Sequence, residues 1–183
     1  MSSSYNNNNV HFGDLLSSIT YTINPKQIIE IGILEGFSLK SFIDASSKDT
    51  IIDAYDIFED FKGNHAKKKE ITELFKDYNN VSIRYGDFYE VHKDISDVDI
   101  IHIDIANNGD VYKYAIEHYL PKLSEKGVMI LEGGSEERDH VGWMIKYNKP
   151  KIQPIVKKYG LKVIGTFPSI TIIKNSMLNV KGD

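Results

Sequence analysis

Residues 28–39 read IIEIGILEGFSL. Ile28, Ile29 and Ile31 form an apolar run broken only by Glu30, and Gly32 and Gly36 follow four residues apart. An apolar run without polar alternation suits a strand covered on both faces, as in a parallel sheet wrapped by helices. The glycines then mark a strand-to-helix turn, with Gly32 ending the strand and Gly36 opening the helix. Ligands of such sheets sit at the carboxyl ends of the strands. A helix N-terminus there offers free N–H groups to a carboxylate or a phosphate. Glu30, inside the strand end, adds an acceptor for an amine. Carboxylate plus ammonium describes an aminoacyl group better than a pyrophosphate. A turn whose glycines serve geometry alone is the other reading the spacing permits.

Outward from this turn the same grammar repeats. Strand-like runs occupy Gln27–Gly32, Thr50–Asp56, Val81–Tyr85, Asp99–Ile105, Gly127–Leu131, Leu161–Thr166 and Ile170–Lys174. Between them lie stretches with helical spacing, such as Phe37, Leu39, Phe42 and Ile43, or Val111, Ala115, Ile116, Leu120 and Leu123. Pro121 marks a kink in the latter, and Gly127 reads as its closing residue. A helix around Phe12–Tyr21 precedes the first strand, and Pro150 and Pro154 break the helical pattern after the fifth. The link inside LKVIGTFPSITIIK (161–174) is too short for a parallel crossover, so the last two strands form a hairpin and at least one is antiparallel. The expected fold is a Rossmann-like open α/β sheet, mostly parallel, with helices on both faces. Residues 1–10 read as a disordered polar tail and 11–183 as one domain.

Composition narrows the function classes. A net charge of −4 over 183 residues argues against a nucleic-acid partner. The cluster Lys67, Lys68 and Lys69 sits beside Glu70 and Glu73 in a helix-like stretch and reads as a solvated helix face. The absence of cysteine removes disulfides and thiolate chemistry. No apolar run approaches the ~20 residues of a membrane span, and the N-terminus has no signal-peptide pattern. A cytoplasmic protein is expected.

Further strand ends carry candidate ligand groups. Asp56, 24 residues past Gly32, stands where an acid can bind the two hydroxyls of a ribose, with Asp53 as the alternative. Gly86 gives a turn, after which Asp87 and Phe88 are placed to meet the edge and face of a base; a plain turn acid is the other reading of Asp87.

At this point a resemblance becomes specific. IIEIGILEGFSL resembles the first motif of the class I S-adenosylmethionine-dependent methyltransferases, in the small-molecule O-methyltransferase branch, through Glu30, Gly32, Gly36 and Ser38. AYD (54–56), GDF (86–88), the stretch from Val98 to Gly134, and PSITIIK (168–174) are similar to later motifs of the group, in the right order. The resemblance implies seven strands in the order 3-2-1-4-5-7-6, the last inserted antiparallel. It implies that Glu30 and the Gly32–Gly36 turn, with Ser38, hold the methionine end of the cofactor. Asp56 would hold the ribose, Asp87 and Phe88 would contact the adenine, and Asp104 would face the methyl group and a small-molecule substrate.

The chain departs from the group after the fourth strand. Relatives often read Ile-Asp-x-Asp-His; here Asp104 is followed by Ala106 and Asn107. After the fifth strand Glu132–Gly133 stands where two ligands are common. Asp104 and Glu132 are two oxygen ligands for Mg²⁺. With Ala106 unable to serve as base, His140 is the nearest titratable candidate; it reads equally as a surface residue of a helix opened by Ser135. His102 reads as a core histidine, and Trp143 and Tyr112 as pocket walls or packing. Two other functions stay open: a non-catalytic nucleoside-binding or partner subunit of the same fold, and a nicotinamide oxidoreductase, whose G-x-G-x-x-G fingerprint the turn does not carry. With little chain left for a lid, either the N-terminal helix or a second copy would close the site, and a homodimer is the expectation.

Overall fold

The computed structural model describes residues 12–174 and residue 176; the polar tail expected over residues 1–10 lies outside them. Helix α1 (Phe12–Ile23) precedes strand β1 (Gln27–Ile31), followed by α2 (Phe37–Ala45), β2 (Ile51–Asp56), α3 (Lys68–Leu74) and β3 (Val81–Tyr85). Then come α4 (Phe88–Val91), β4 (Val98–Ile103), α5 (Gly109–Tyr114), β5 (Leu123–Glu132), α6 (Gly142–Lys146), α7 (Gln153–Tyr159), β6 (Lys162–Ile164) and β7 (Ile170–Ile173). They make one seven-stranded sheet in the order β3-β2-β1-β4-β5-β7-β6. β1 to β5 pair in parallel, and β7 is antiparallel to both β5 and β6.

The unbroken isoleucine runs follow from a sheet buried on both sides. Ile29, Ile31, Ile101, Ile103, Met129 and Leu131 pack against α4, α5 and α7 through residues such as Val91, Tyr112 and Val156. Ile28, Ile52, Ile100, Val128 and Ile130 face the other way, onto Leu16 of α1, Phe42 of α2 and Ile71 of α3. Each successive side chain points to an opposite face, so both parities must be apolar. Glu30 and His102, register partners on β1 and β4, are buried polar residues on the α2 side.

The fifth strand begins four residues earlier than the sequence expectation, at Leu123. Gly127 does not close a helix. α5 widens into a π-turn over Ala115–Tyr119 and ends as a 3-10 turn, Leu120–Lys122, carrying Pro121. Leu123 already opposes Val98 in the sheet, and the pairing shifts before Ile100 meets Val128. A Cβ on Gly127 would lie 2.7 Å from the Val98 carbonyl oxygen. The glycine therefore permits an irregularity inside a strand. Periodicity extended the helix through Leu123 because that leucine is buried in either element.

Candidate functional site

The carboxyl ends of β1, β2 and β4 meet at Gly32, whose N–H donates to the Tyr55 carbonyl at 2.9 Å. Gly32 has φ +92°, and a Cβ on it would stand 2.0 Å from the main-chain oxygen of Asp104. The ends of β1 and β4 thus meet backbone to backbone, tied by the Asp104 N–H donating to the Ile31 carbonyl at 2.9 Å. Gly36 has φ +79° as the residue before α2, and the space its Cβ would fill is held by the Phe75 ring at 2.7 Å. Packing against Phe75 accounts for this second glycine.

Glu30 is fully buried below the turn. Ser38, in the first turn of α2, donates to its Oε1, and His102 Nδ1 stands 3.4 Å from the same oxygen. Oε2 has no hydrogen-bond partner among the described residues. A buried carboxylate oxygen without a donor is costly, so Glu30 presents an acceptor that an ammonium group fits. His102 sits in the core, its ring edge-on to Phe42 at 5.3 Å, and belongs to this cluster as well.

Asp56 lies at the end of β2 as expected, but its carboxylate is engaged. Oδ2 accepts from the N–H groups of Ile33 (2.8 Å) and Leu34 (3.4 Å). Oδ1 accepts from the Phe58 N–H (2.7 Å) and Asn64 Nδ2 (2.6 Å). Asp56 braces the β1 turn against the chain after β2. Asn64 is the side-chain donor of the four, so it is the one a ribose hydroxyl would replace. Asp53 is held elsewhere, accepting from Arg84 Nε at 2.7 Å.

At the end of β3, Asp87 is exposed and caps α4 through Tyr89 N–H at 2.8 Å. Phe88 corrects an expectation. It is 4% exposed and stacked on Tyr119 with centroids 5.2 Å apart, so its ring packs the core and presents no face to a base. The solvent-facing rings near this strand end are Tyr85, 53% exposed, and Tyr89, 47% exposed.

The ends of β4 and β5 hold a second correction. Glu132 is buried and bound by both oxygens to Arg138: Nε at 2.8 and 3.0 Å, Nη2 at 2.9 Å. The guanidinium Nη2 also donates to the Asn107 carbonyl at 3.2 Å. Burial works against the charge of Arg138, but the Glu132 bonds and charge, with a smaller contribution from Asp104, raise its pKa above the usual value. Glu132 is therefore not an open metal ligand, and no group of three or more His, Asp or Glu side chains among the described residues could hold a metal ion. The residues do not fit the Mg²⁺ expected on Asp104 and Glu132.

Asn107, where relatives often have histidine, is fully buried and stitches β4 to β5, its Nδ2 donating to the carbonyls of Ile103 (3.0 Å) and Glu132 (2.9 Å). Gly133 has φ +96°, and a Cβ there would meet Arg138 Cγ at 3.1 Å. Ser135 receives the Arg138 N–H at 3.2 Å, as a residue opening a helical turn does. His140 is exposed at the end of that turn, Glu137–His140, and its Nδ1 donates to the Glu136 carbonyl at 2.9 Å. In the neutral ring this leaves Nε2 as an acceptor. Tyr112 is core, not wall: its hydroxyl ties the Glu132 carbonyl (3.1 Å) to Thr171 Oγ1 (3.0 Å), and burial pushes its pKa well up. Trp143 lies over the Arg138 guanidinium at 5.1 Å.

Arg138 and its neighbour Asp139 are site residues that sequence reasoning missed. Asp139 accepts from the N–H groups of Ile152 (2.7 Å) and Gln153 (2.9 Å), anchoring α7. The available signal was an arginine six residues after a strand-end glutamate, in a stretch already expected at the ligand edge.

Comparison with known proteins agrees with this geometry. The methyltransferase-domain family matches residues 29–132, more than half of the chain. No curated protein matches in sequence. Among solved structures, an O-methyltransferase from Bacillus cereus in complex with S-adenosylhomocysteine is 18% identical, with TM-score 0.63 over 90% of this chain and 80% of that one. The O-methyltransferase TomG from Streptomyces achromogenes, involved in tomaymycin synthesis and solved with S-adenosylmethionine, is 14% identical, with TM-score 0.62 over 88% and 78%. An S-adenosylhomocysteine-bound methyltransferase from Podospora anserina is 19% identical, with TM-score 0.58 over 95% and 79%. With the strand order, the antiparallel β7 and the glycine turn above Glu30 all in place, the chain belongs to the methyltransferase-domain family and carries the class I fold of the S-adenosylmethionine-dependent methyltransferases.

Proposed function

We propose that this protein transfers a methyl group from S-adenosylmethionine to a hydroxyl of a small molecule, such as a sugar or a related metabolite. The observation that carries the reading is Glu30. It is a buried carboxylate with one oxygen satisfied by Ser38 and the other unpaired, directly below the turn that joins β1 to α2. That unpaired oxygen fits the ammonium of the cofactor's methionine end. Asp56 would take the ribose once Asn64 yields, and Asp87, exposed at the end of β3, would meet the adenine edge. The bound cofactor supplies an electrophilic methyl group. The protein's own part is to hold the acceptor oxygen in line and receive its proton. Asp104 at the Gly32 contact, and His140 through Nε2, are the candidates for the proton.

Ala106, Asn107 and Gly133, which stand at the base and metal positions of the resembled pattern, motivate a second reading, a nucleoside-binding subunit without catalysis. The two separate cleanly. Isotope-labelled methyl transfer to a mixture of hydroxylated metabolites, abolished by Asp104→Ala while S-adenosylhomocysteine still binds, supports the enzyme. Cofactor binding with no transfer to any acceptor supports the subunit. Association of two copies to close the site remains part of the proposal; light scattering showing only monomer removes it.

A further inference from the structure

We infer that Arg138 binds the acceptor oxygen, in the place where related sites rely on a metal ion, and that the acceptor is a neutral hydroxylated molecule; this rests on the methyl-transfer reading above. Arg138 is 5% exposed at the joined ends of β4 and β5. Its Nε and Nη2 are spent on Glu132 and on the Asn107 carbonyl. Nη1 is buried and has no hydrogen-bond partner among the described residues. A buried N–H donor left unpaired costs free energy, so the guanidinium edge away from Glu132 is a donor awaiting an oxygen. The Trp143 ring lies against the same guanidinium, 5.1 Å from Cζ to its centroid, and offers an apolar wall beside it.

The arrangement also restricts the ligand. A guanidinium recognises a carboxylate best by a two-point fork, and the fork here is already closed on Glu132. One nitrogen remains, which suits a single oxygen. The charge of Arg138 is balanced by Glu132, and Asp104 is close enough to act on it electrostatically. An acceptor bearing its own carboxylate would meet surplus negative charge at short range. A neutral hydroxyl meets a donor in Arg138 and an acceptor in Asp104.

Trp143 is the single tryptophan of the chain, so its emission reports on this corner. The protein is first saturated with S-adenosylhomocysteine; failure at that step counts against methyl transfer and not against Arg138. It is then titrated with methyl β-glucopyranoside and with catechol, each against its carboxylate counterpart, methyl β-glucuronide and 2,3-dihydroxybenzoate. The expected result is saturable binding of at least one neutral probe. That binding is unchanged by EDTA, at least threefold tighter than its counterpart, and weakened at least threefold by Arg138→Lys. A Glu132→Gln/Arg138→Gln double variant, checked for a cooperative melt, keeps the pair hydrogen-bonded and loses the response as well. Binding that survives either variant, depends on metal or prefers the anion overturns the inference, as does no response to either neutral probe.

Discussion

Gly32 and Asp104 touch through their backbones, with room for no atom between the glycine Cα and the aspartate carbonyl oxygen: a Cβ would lie at 2.0 Å. The contact sets the distance between the β1 turn and Asp104, the residue proposed to face the acceptor. Gly32→Ala must both push β4 away and hold a non-glycine residue at φ +92°. The expected loss is about 2–4 kcal/mol of stability, read by urea denaturation. S-adenosylhomocysteine affinity should fall with it. A variant that melts like the wild type would show that the two strand ends are free to separate.

Arg138→Met leaves Glu132 buried and unpaired, and is expected to cost about 3–5 kcal/mol. Glu132→Leu/Arg138→Met removes both charges and should recover most of that loss. Additive losses in the double variant would mean that the pair is not coupled.

Phe88 and Tyr89 are neighbours with opposite fates. Phe88→Ala empties a site stacked on Tyr119 and should cost about 3–5 kcal/mol. Tyr89→Ala, at a half-exposed ring, should stay within about 1 kcal/mol of the wild type and instead weaken binding of the adenine end. Equal destabilisation by the two would contradict the packing assigned to Phe88.

At the opposite, amino-terminal end of the strands, Asp99 ties β4 to the residue before β1. Burial works against its charge, but Ser124 Oγ at 2.5 Å, Lys26 N–H at 2.6 Å and Lys126 Nζ at 3.7 Å more than offset it, holding the carboxyl below its usual pKa. A depressed folded-state pKa adds stability above the unfolded value of about 3.9 and loses it as the pH falls through the folded value. The wild type should therefore exceed Asp99→Asn in stability at pH 7, with the gap closing below about pH 4. A gap independent of pH would mean that the bonds hold equally well without the charge.

How much of this was legible in the sequence depends on what a residue's partners are. The buried strands and the antiparallel ending were readable from local facts, namely continuous isoleucine runs and a link between β6 and β7 too short to cross over, whereas the strand order was implied only by the family resemblance. Glu30, Gly32 and Asp104 were placed correctly at strand ends by position alone. Phe88 misled because an aromatic after a turn looks the same whether it faces solvent or, as here, Tyr119. Glu132 looked like a metal ligand because the arginine that closes on it comes from a 3-10 turn with no periodic signature. Gly127 was taken as a helix end because a glycine that permits a bulge is identical in sequence to one that caps a helix. What the chain does not announce is pairing across loops, and the departures at Asn107 and Gly133 make sense only once Arg138 is in view.

The central claim is that the turn above Glu30 holds an S-adenosyl nucleoside by its methionine end. A crystal structure of the protein with S-adenosylhomocysteine tests it most directly. The account predicts the ammonium within hydrogen-bond distance of Glu30 Oε2 and Asn64 swung off Asp56 in favour of the ribose. A nucleoside found elsewhere, or a turn left empty with Glu30 Oε2 still unpaired at saturating ligand, would contradict it.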